Sequence, residues 1–223
     1  MKAVVILAAG GSGRRLKAGR PKAFVELGGR PLFFHAAEVF ASLPFVREIV
    51  LVLPPTWLPR LLRLHEPRLR QLKITKLVPG GPRRQDSVWN GLSVADPANE
   101  IVLVHDAARP FVTQALVRRV AAAARMHGAA VPALPVTDTL KRVDGARVVE
   151  TPPRAEFRAA QTPQGFRRDV LVDAYRKAGK REATDDTQLV EWAGGAVVTV
   201  EGDPENFKVT TPDDYARARA RLL

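Results

Sequence analysis

The chain of 223 residues contains no cysteine. That absence removes thiol catalysis, disulfide staples and cysteine-ligated zinc. A chain of this length buries roughly 70% of its unfolded surface, so it needs no staple, and one domain spanning 1–223 is expected. No apolar run reaches eighteen residues, so no membrane-spanning helix is expected. The apolar N-terminal run is too short, and too soon followed by glycines, to read as a signal peptide. A soluble, cytoplasmic protein is the resulting expectation. Aromatic residues make up only 6% of the chain, and acidic ones are outnumbered, 23 Asp and Glu against 35 Lys and Arg. The net charge of +12 invites a nucleic-acid reading. The aromatics are not interleaved with the basic residues, however, so a base-stacking platform is poorly supported. A phosphorylated small substrate accounts for a basic site equally well. Neither nucleic acid nor membrane is the expected partner.

What is present is organised around the first twenty-two residues. Residues 1–8, MKAVVILA, have the length and composition of a buried strand. They run into Ala9-Gly10-Gly11-Ser12-Gly13-Arg14-Arg15-Leu16 and then Pro21-Lys22. Three glycines let the backbone approach a ligand closely, and inward-turned N–H groups make an anion nest. The dinucleotide fingerprint fails because Leu16 stands at its last glycine position, and no P-loop Gly-Lys-Ser/Thr occurs. The plainer reading is a glycine-rich turn with solvated arginines.

Apolar strands are expected at 49–53, 74–78, 101–104, 128–136 and 196–200. Helices are expected from Pro31 through Phe40, over 58–64, with Val88, Leu92 and Val94 on one face, from Thr113 as N-cap to Met126, over 168–178 and 184–192, and from Thr211 to Leu223. Apolar strands alternating with helices indicate an α/β fold, a doubly wound and mostly parallel, Rossmann-like sheet covered on both faces. Residues 137–158 break the rhythm. Two β-prone runs, 140–143 and 147–150, flank Asp144-Gly145 and predict a hairpin arm protruding from the sheet. An ordinary surface hairpin is the alternative. An arm that needs covering makes a homodimer expected.

Strand ends collect the candidate chemistry, as open α/β sheets do. The glycine loop brings Arg15 and Lys22, the fourth strand brings Asp106 and Arg109, and the last loop brings Lys208. A carboxylate near phosphates suits Mg²⁺. Asp106 reads equally as a capping or salt-bridging aspartate, with Arg109 as one partner. His105 reads as a packed core residue, since no second histidine stands at a metal spacing and no serine–histidine–acid set is visible. Positive charge and backbone donors without a nucleophile suit transfer between phosphates, where positioning and charge stabilisation do the catalysis.

Several segments in order, Ala9 to Leu16, Pro21-Lys22, Gly80-Gly81-x-x-Arg84-x-x-Ser87-Val88, His105-Asp106-Ala107-Ala108-Arg109-Pro110, Asp138-Thr139-Leu140-Lys141, Thr162-Pro163-Gln164 and Asn206-x-Lys208-Val209-Thr210, resemble the 2-C-methyl-D-erythritol 4-phosphate cytidylyltransferase family. The resemblance implies a nucleotidyltransferase that joins CTP to methylerythritol phosphate and releases pyrophosphate, a step of non-mevalonate isoprenoid synthesis. It implies that Arg15 and Lys22 stabilise the CTP α-phosphate, and that Arg154 and Lys208 hold the acceptor phosphate. It implies Mg²⁺ on Asp106, methylerythritol against Arg109 and Thr139, and an arm exchanged between two subunits. It implies nucleotide contacts from Ala9, Gly10, Gly11, Gly13, Gly80, Gly81, Ser87, Asp106 and Ala107, with Gly80, Gly81 and Ser87 facing the cytosine. Gly10 departs from the alanine usual there. The family's second acidic position falls nearest Glu205, with Asp203 close by, and the second ligand stays open. Two other readings remain: another nucleotidyltransferase of the superfamily, acting on a sugar 1-phosphate or molybdopterin, and a non-catalytic basic binding protein.

Overall fold

The computed structural model describes residues 1–11, 13–16 and 19–222, without the side chains of residues 14 and 63–66. Ser12 of the glycine loop and the end assigned to the last helix at Leu223 lie outside the described residues. The strands are β1 (Ala3–Ala8), β2 (Glu26–Leu27), β3 (Arg30–Pro31), β4 (Val46–Leu53), β5 (Ile74–Pro79), β6 (Ile101–Asp106), β7 (Ala129–Pro135), β8 (Arg142–Asp144), β9 (Arg147–Glu150), β10 (Arg158–Ala160), β11 (Gln164–Arg167) and β12 (Val198–Glu201). The helices are α1 (Leu32–Ala41), α2 (Leu58–Gln71), α3 (Arg84–Val94), α4 (Gln114–His127), α5 (Arg168–Ala178), α6 (Asp186–Trp192) and α7 (Pro212–Ala220).

The main sheet runs β5-β4-β1-β6 in parallel, then β11 antiparallel to β6, then β7. Ala130 of β7 pairs with Gly165 and Val198, and Ala133 with Ala160 and Glu201. So β10 and β11 share one edge of β7, and β12 takes the other. The chain leaves β1 first toward β4 and β5, and returns to β6 on the opposite side. The crevice between β1 and β6 is therefore the switch point at which open α/β sheets bind ligands.

Side-chain alternation explains why β1 is apolar throughout. Val5 and Leu7 pack with α1, α2 and α4 on one face, while Val4 and Ile6 pack with α3, α5 and α6 on the other. On α3 the buried apolar side chains are Val88 and Leu92, followed by Ala95 just beyond the helix. Val94 is exposed, contrary to the face assigned to it, because six residues beyond Val88 is about 240° around a helix. α2 runs past Pro67 to Gln71, further than expected, since Leu61 and Leu69 keep contact with the core. Pro31 is the N-cap of α1 rather than its first helical residue. Thr113 caps α4 through Leu116 N–H, and Thr211 and Asp214 cap α7 reciprocally.

The segment 137–158 carries β8 and β9, a two-stranded sheet of its own that among the described residues pairs with no strand of the main sheet, but its last residue, Arg158, already belongs to β10 and pairs with Pro135 of β7. Its turn falls at Gly145-Ala146, one residue later than Asp144-Gly145, with Gly145 at φ +57°.

Candidate active site

Parallel register lines up the strand ends that build the site. Ala8 of β1 pairs with Val52 of β4 and Asp106 of β6. Ala9 N–H then donates to Val52 O at 2.7 Å, Ala107 N–H to Ala8 O at 3.0 Å, and Gly80 N–H to Leu53 O at 2.9 Å. These bonds hold three loops around a cavity of about 430 Å³ at the β1–β6 crevice. Its lining includes Ala9, Gly10, Gly11, Arg15, Lys22, Gly80, Gly81, Ser87, Asp106 and Lys208, gathered from both halves of the chain.

The glycine loop is closed by Lys22 N–H, which donates to Gly11 O at 3.1 Å. Of its three glycines only Gly13 is left-handed, at φ +72°, and a Cβ there would come within 2.5 Å of Arg20 O. Phe24, two residues beyond Lys22, stacks on Trp57 and meets Phe33 edge-on, which anchors the lysine's turn in the core. The lysine side chain is mostly buried, and its Nζ reaches Thr210 Oγ1 at 3.5 Å. Burial, with Lys208 beside it, lowers its pKa to about 8.

Asp106 is the electrostatic centre. Lys208 Nζ lies 2.6 Å from its Oδ2, and Arg84 Nη2 lies 3.7 Å from its Oδ1. Burial would raise its pKa, but Lys208, Arg84 and Arg109 outweigh that and hold the carboxyl well below the usual range. The salt-bridging reading of Asp106 thus has Lys208 and Arg84 as its partners, while Arg109 meets Asp106 through its backbone N–H, which donates to Asp106 O at 2.9 Å. Behind it, Asp106 N–H donates to Thr162 Oγ1 at 3.1 Å, and Asn206 Nδ2 donates to Thr162 O at 2.7 Å. Arg109 Nη1 donates to Asn206 O at 2.7 Å, tying the Lys208 loop to the end of β6. His105 is fully buried, with its ring nitrogens against Thr162 Oγ1 and Arg109 O, each at 3.1 Å. Burial lowers its pKa to about 4, so it is a neutral, packed histidine.

On the opposite wall, Gly81 N–H donates to Ser87 Oγ at 3.0 Å, and the serine donates to Arg83 O at 3.1 Å. A Cβ on Gly81 would come 2.5 Å from the Asp86 Cβ, so close packing of this loop on α3 requires glycine.

The remaining expected residues lie elsewhere. Ala107 is fully buried, and its neighbour Ala108 faces the cavity. Thr139 and Arg154 are exposed on the arm segment and do not line the cavity; Arg154 Nη1 donates to Thr137 O at 2.5 Å. Glu205 pairs with Arg217 at 3.0 Å and with Arg221, and Asp203 Oδ1 accepts from Glu205 N–H at 2.9 Å. Among the described residues no cluster of three metal-ligating side chains stands ready, so a cation here would rely on Asp106 and on ligand oxygens. Arg84 is the wall residue that sequence reasoning left without a role. It sits inside the Gly80 to Ser87 motif, which was the available signal.

A family model for IspD, 2-C-methyl-D-erythritol 4-phosphate cytidylyltransferase, matches residues 3–223. The chain belongs to this family. A bifunctional enzyme IspD/IspF of Anaeromyxobacter dehalogenans is 50% identical over 99% of the chain and 57% of its own length. That of Rhodopseudomonas palustris strain BisA53 is 44% identical over 99% of the chain and 56% of its own length. The chain thus spans a little over half the length of these curated relatives. The crystal structure of the cytidylyltransferase from Thermus thermophilus is 39% identical, covers 99% of this chain and 98% of that one, and superposes with a TM-score of 0.81. The synthase from Anaerococcus prevotii is 30% identical with a TM-score of 0.85, over 99% of this chain and 98% of its own. The mostly parallel α/β sheet is therefore the nucleotidyltransferase fold of the IspD family.

Proposed function

We propose that the chain transfers CMP from CTP to the phosphate of 2-C-methyl-D-erythritol 4-phosphate, giving 4-diphosphocytidyl-2-C-methyl-D-erythritol and pyrophosphate. Family membership supports the reaction. The observation that carries it is the cavity at the switch point, where Arg15, Lys22, Arg84 and Lys208 surround a single ionised carboxylate. An acceptor phosphate oxygen attacks the CTP α-phosphorus in line, a new P–O bond forms, and the bond to the β-phosphate oxygen breaks. The acceptor is already an anion, so no base is needed, which agrees with the buried, neutral His105.

In this reading Ala9, Gly10, Gly11 and Gly13 place backbone around the phosphates, while Arg15 and Lys22 stabilise charge at the α-phosphate. Gly80, Gly81 and Ser87 take the cytosine end, and Asp106 with Ala107 and Ala108 takes the middle of the nucleotide. Lys208 and Arg154 hold the acceptor phosphate, and Arg109 and Thr139 the methylerythritol. Asp106 fits Mg²⁺ chemically: it is an ionised oxygen donor in a phosphate site, and Mg²⁺ binds through one or two carboxylates plus phosphates. The cation would neutralise phosphate charge. We further propose a homodimer through the 137–158 arm, which would bring Thr139 and Arg154 of one subunit toward the cavity of the other. A cytoplasmic setting accords with soluble phosphate substrates.

Nucleotide competition tests the base. CTP is expected to raise the melting temperature most in a panel of CTP, UTP, GTP and ATP. A larger shift with a purine or uridine nucleotide would move the chain to another branch of the superfamily. Strongly salt-dependent nucleic-acid binding without any nucleotide response would restore the basic binding reading.

A further inference from the structure

Arg84 has two carboxylates within reach and is held by the one outside the cavity. Its Nη1 donates to Asp186 Oδ2 at 2.6 Å, whereas its Nη2 stands 3.7 Å from Asp106 Oδ1, beyond hydrogen-bond length. Asp186 is fully buried at the first residue of α6, and its Oδ1 accepts the Tyr175 hydroxyl at 2.7 Å. Its own N–H donates to Gln164 Oε1 at 3.1 Å, and the Tyr175 ring packs on Trp89 of α3 with centroids 5.3 Å apart. α3, α5, α6 and β11 therefore fix the position of one guanidinium. On the cavity side Asp106 Oδ2 is taken by Lys208, while no hydrogen bond among the described residues reaches Oδ1.

A guanidinium without such a tether closes on the nearest carboxylate, because charge-assisted pairs settle at about 2.7–2.9 Å. The buried Asp186 wins this competition, since without Arg84 it would be a buried charge lacking its counter-ion. We infer that Asp186, backed by Tyr175, is a positioning residue that holds Arg84 off Asp106 and so keeps Asp106 Oδ1 open to the cavity. This rests on the proposed role of Asp106 as the oxygen donor for a divalent cation bound with CTP.

The test compares CTP affinity by calorimetry, with and without Mn²⁺, in the intact chain. Wild type, Asp186→Asn, Tyr175→Phe and the double variant Arg84→Met/Asp186→Asn are measured, with melting curves and wild-type pyrophosphate release alongside. In Asp186→Asn the freed Arg84 closes on Oδ1, and the gain in affinity from Mn²⁺ is expected to shrink about tenfold, within the usual range of site–site coupling. Tyr175→Phe is expected to lose about two- to threefold of that gain, the low end of what one hydrogen bond contributes. Removing Arg84 as well restores most of it, an outcome that a merely structural role would not produce. A folded Asp186→Asn with the wild-type Mn²⁺ gain, or a double variant no better than the single, overturns the inference and leaves the proposed reaction standing. Should Asp186→Asn fail to fold, an unchanged Mn²⁺ gain in Tyr175→Phe overturns it. A folded wild type with neither an Mn²⁺ gain nor pyrophosphate release overturns both.

Discussion

The cavity at the β1–β6 crevice and the β8–β9 arm are opposite solutions to the same problem of unsatisfied surface. At the cavity, acidic charge is taken inside and paired: Asp106 lies between Lys208 and Arg84, and behind the wall Asp186 pairs with Arg84. In the arm, apolar surface is left outside and unbalanced, with Val143, Val148 and Val149 exposed by 57%, 53% and 52% and Phe157 by 38%. A two-stranded hairpin is marginal alone, and apolar side chains on it mark a contact surface. The buried carboxylates find their partners within one chain; the arm's apolar side chains stay exposed on it. In the proposed reading a single chain therefore preforms the nucleotide site, while the acceptor residues assigned to the arm depend on a second subunit in the proposed dimer.

The sharpest way to break this contrast is to remove charge from the cavity. Arg15→Ala and Lys22→Ala are each expected to cut turnover by roughly 10²-fold or more, as loss of one preorganised donor does. Steady-state kinetics at saturating substrates check this, and near-normal turnover in both would leave the cavity without its assigned role. The arm is expected to matter differently. Val148→Glu puts charge into the apolar contact, and should shift the protein toward monomer in sedimentation and cost about tenfold in activity, while leaving CTP affinity nearly unchanged. A variant that stays dimeric with full activity would show that the arm's valines are not the contact.

A third expectation concerns pH. Lys22 has a folded pKa of about 8, below its ordinary 10.5, so its ammonium is lost as pH rises through about 8. The kcat/KM for CTP should therefore decline above about pH 8, and Lys22→Arg should move that decline upward, since arginine stays charged. For stability the sign is reversed. Between about 8 and 10.5 the unfolded chain holds the proton more tightly than the folded one, so Lys22 makes folding more favourable as pH rises through that window. The least direct effect on turnover is expected at Gly81→Ala, which acts through stability. The added Cβ must displace Asp86, at a cost of about 1–3 kcal/mol in stability, with CTP binding weakened in parallel. Chemical denaturation with and without CTP measures both.

Much of the fold was legible because its strands are short, apolar and punctuated. β1 and the glycine loop, the Thr113 and Thr211 caps and the hairpin arm follow local rules that hold whatever the rest of the chain does. Arg15, Lys22, Asp106 and Lys208 could be gathered because each follows or flanks a strand end. Local rules failed where distant residues decide. The pairing of Arg84 with Asp186 spans 102 positions, and no spacing announces it. α2 passes Pro67 because tertiary packing overrides a local stop signal. Ala107 and Ala108 are equal in sequence, and only the bend after β6 turns Ala108 to the cavity and Ala107 into the core.

Pyrophosphate release by the wild-type chain with CTP, Mg²⁺ and methylerythritol phosphate, each omitted in turn, tests the central claim most directly. The account predicts release only when all three are present, because the cavity supplies charge and position but no nucleophile of its own. Release that persists without methylerythritol phosphate, or that runs equally well with ATP, would contradict it.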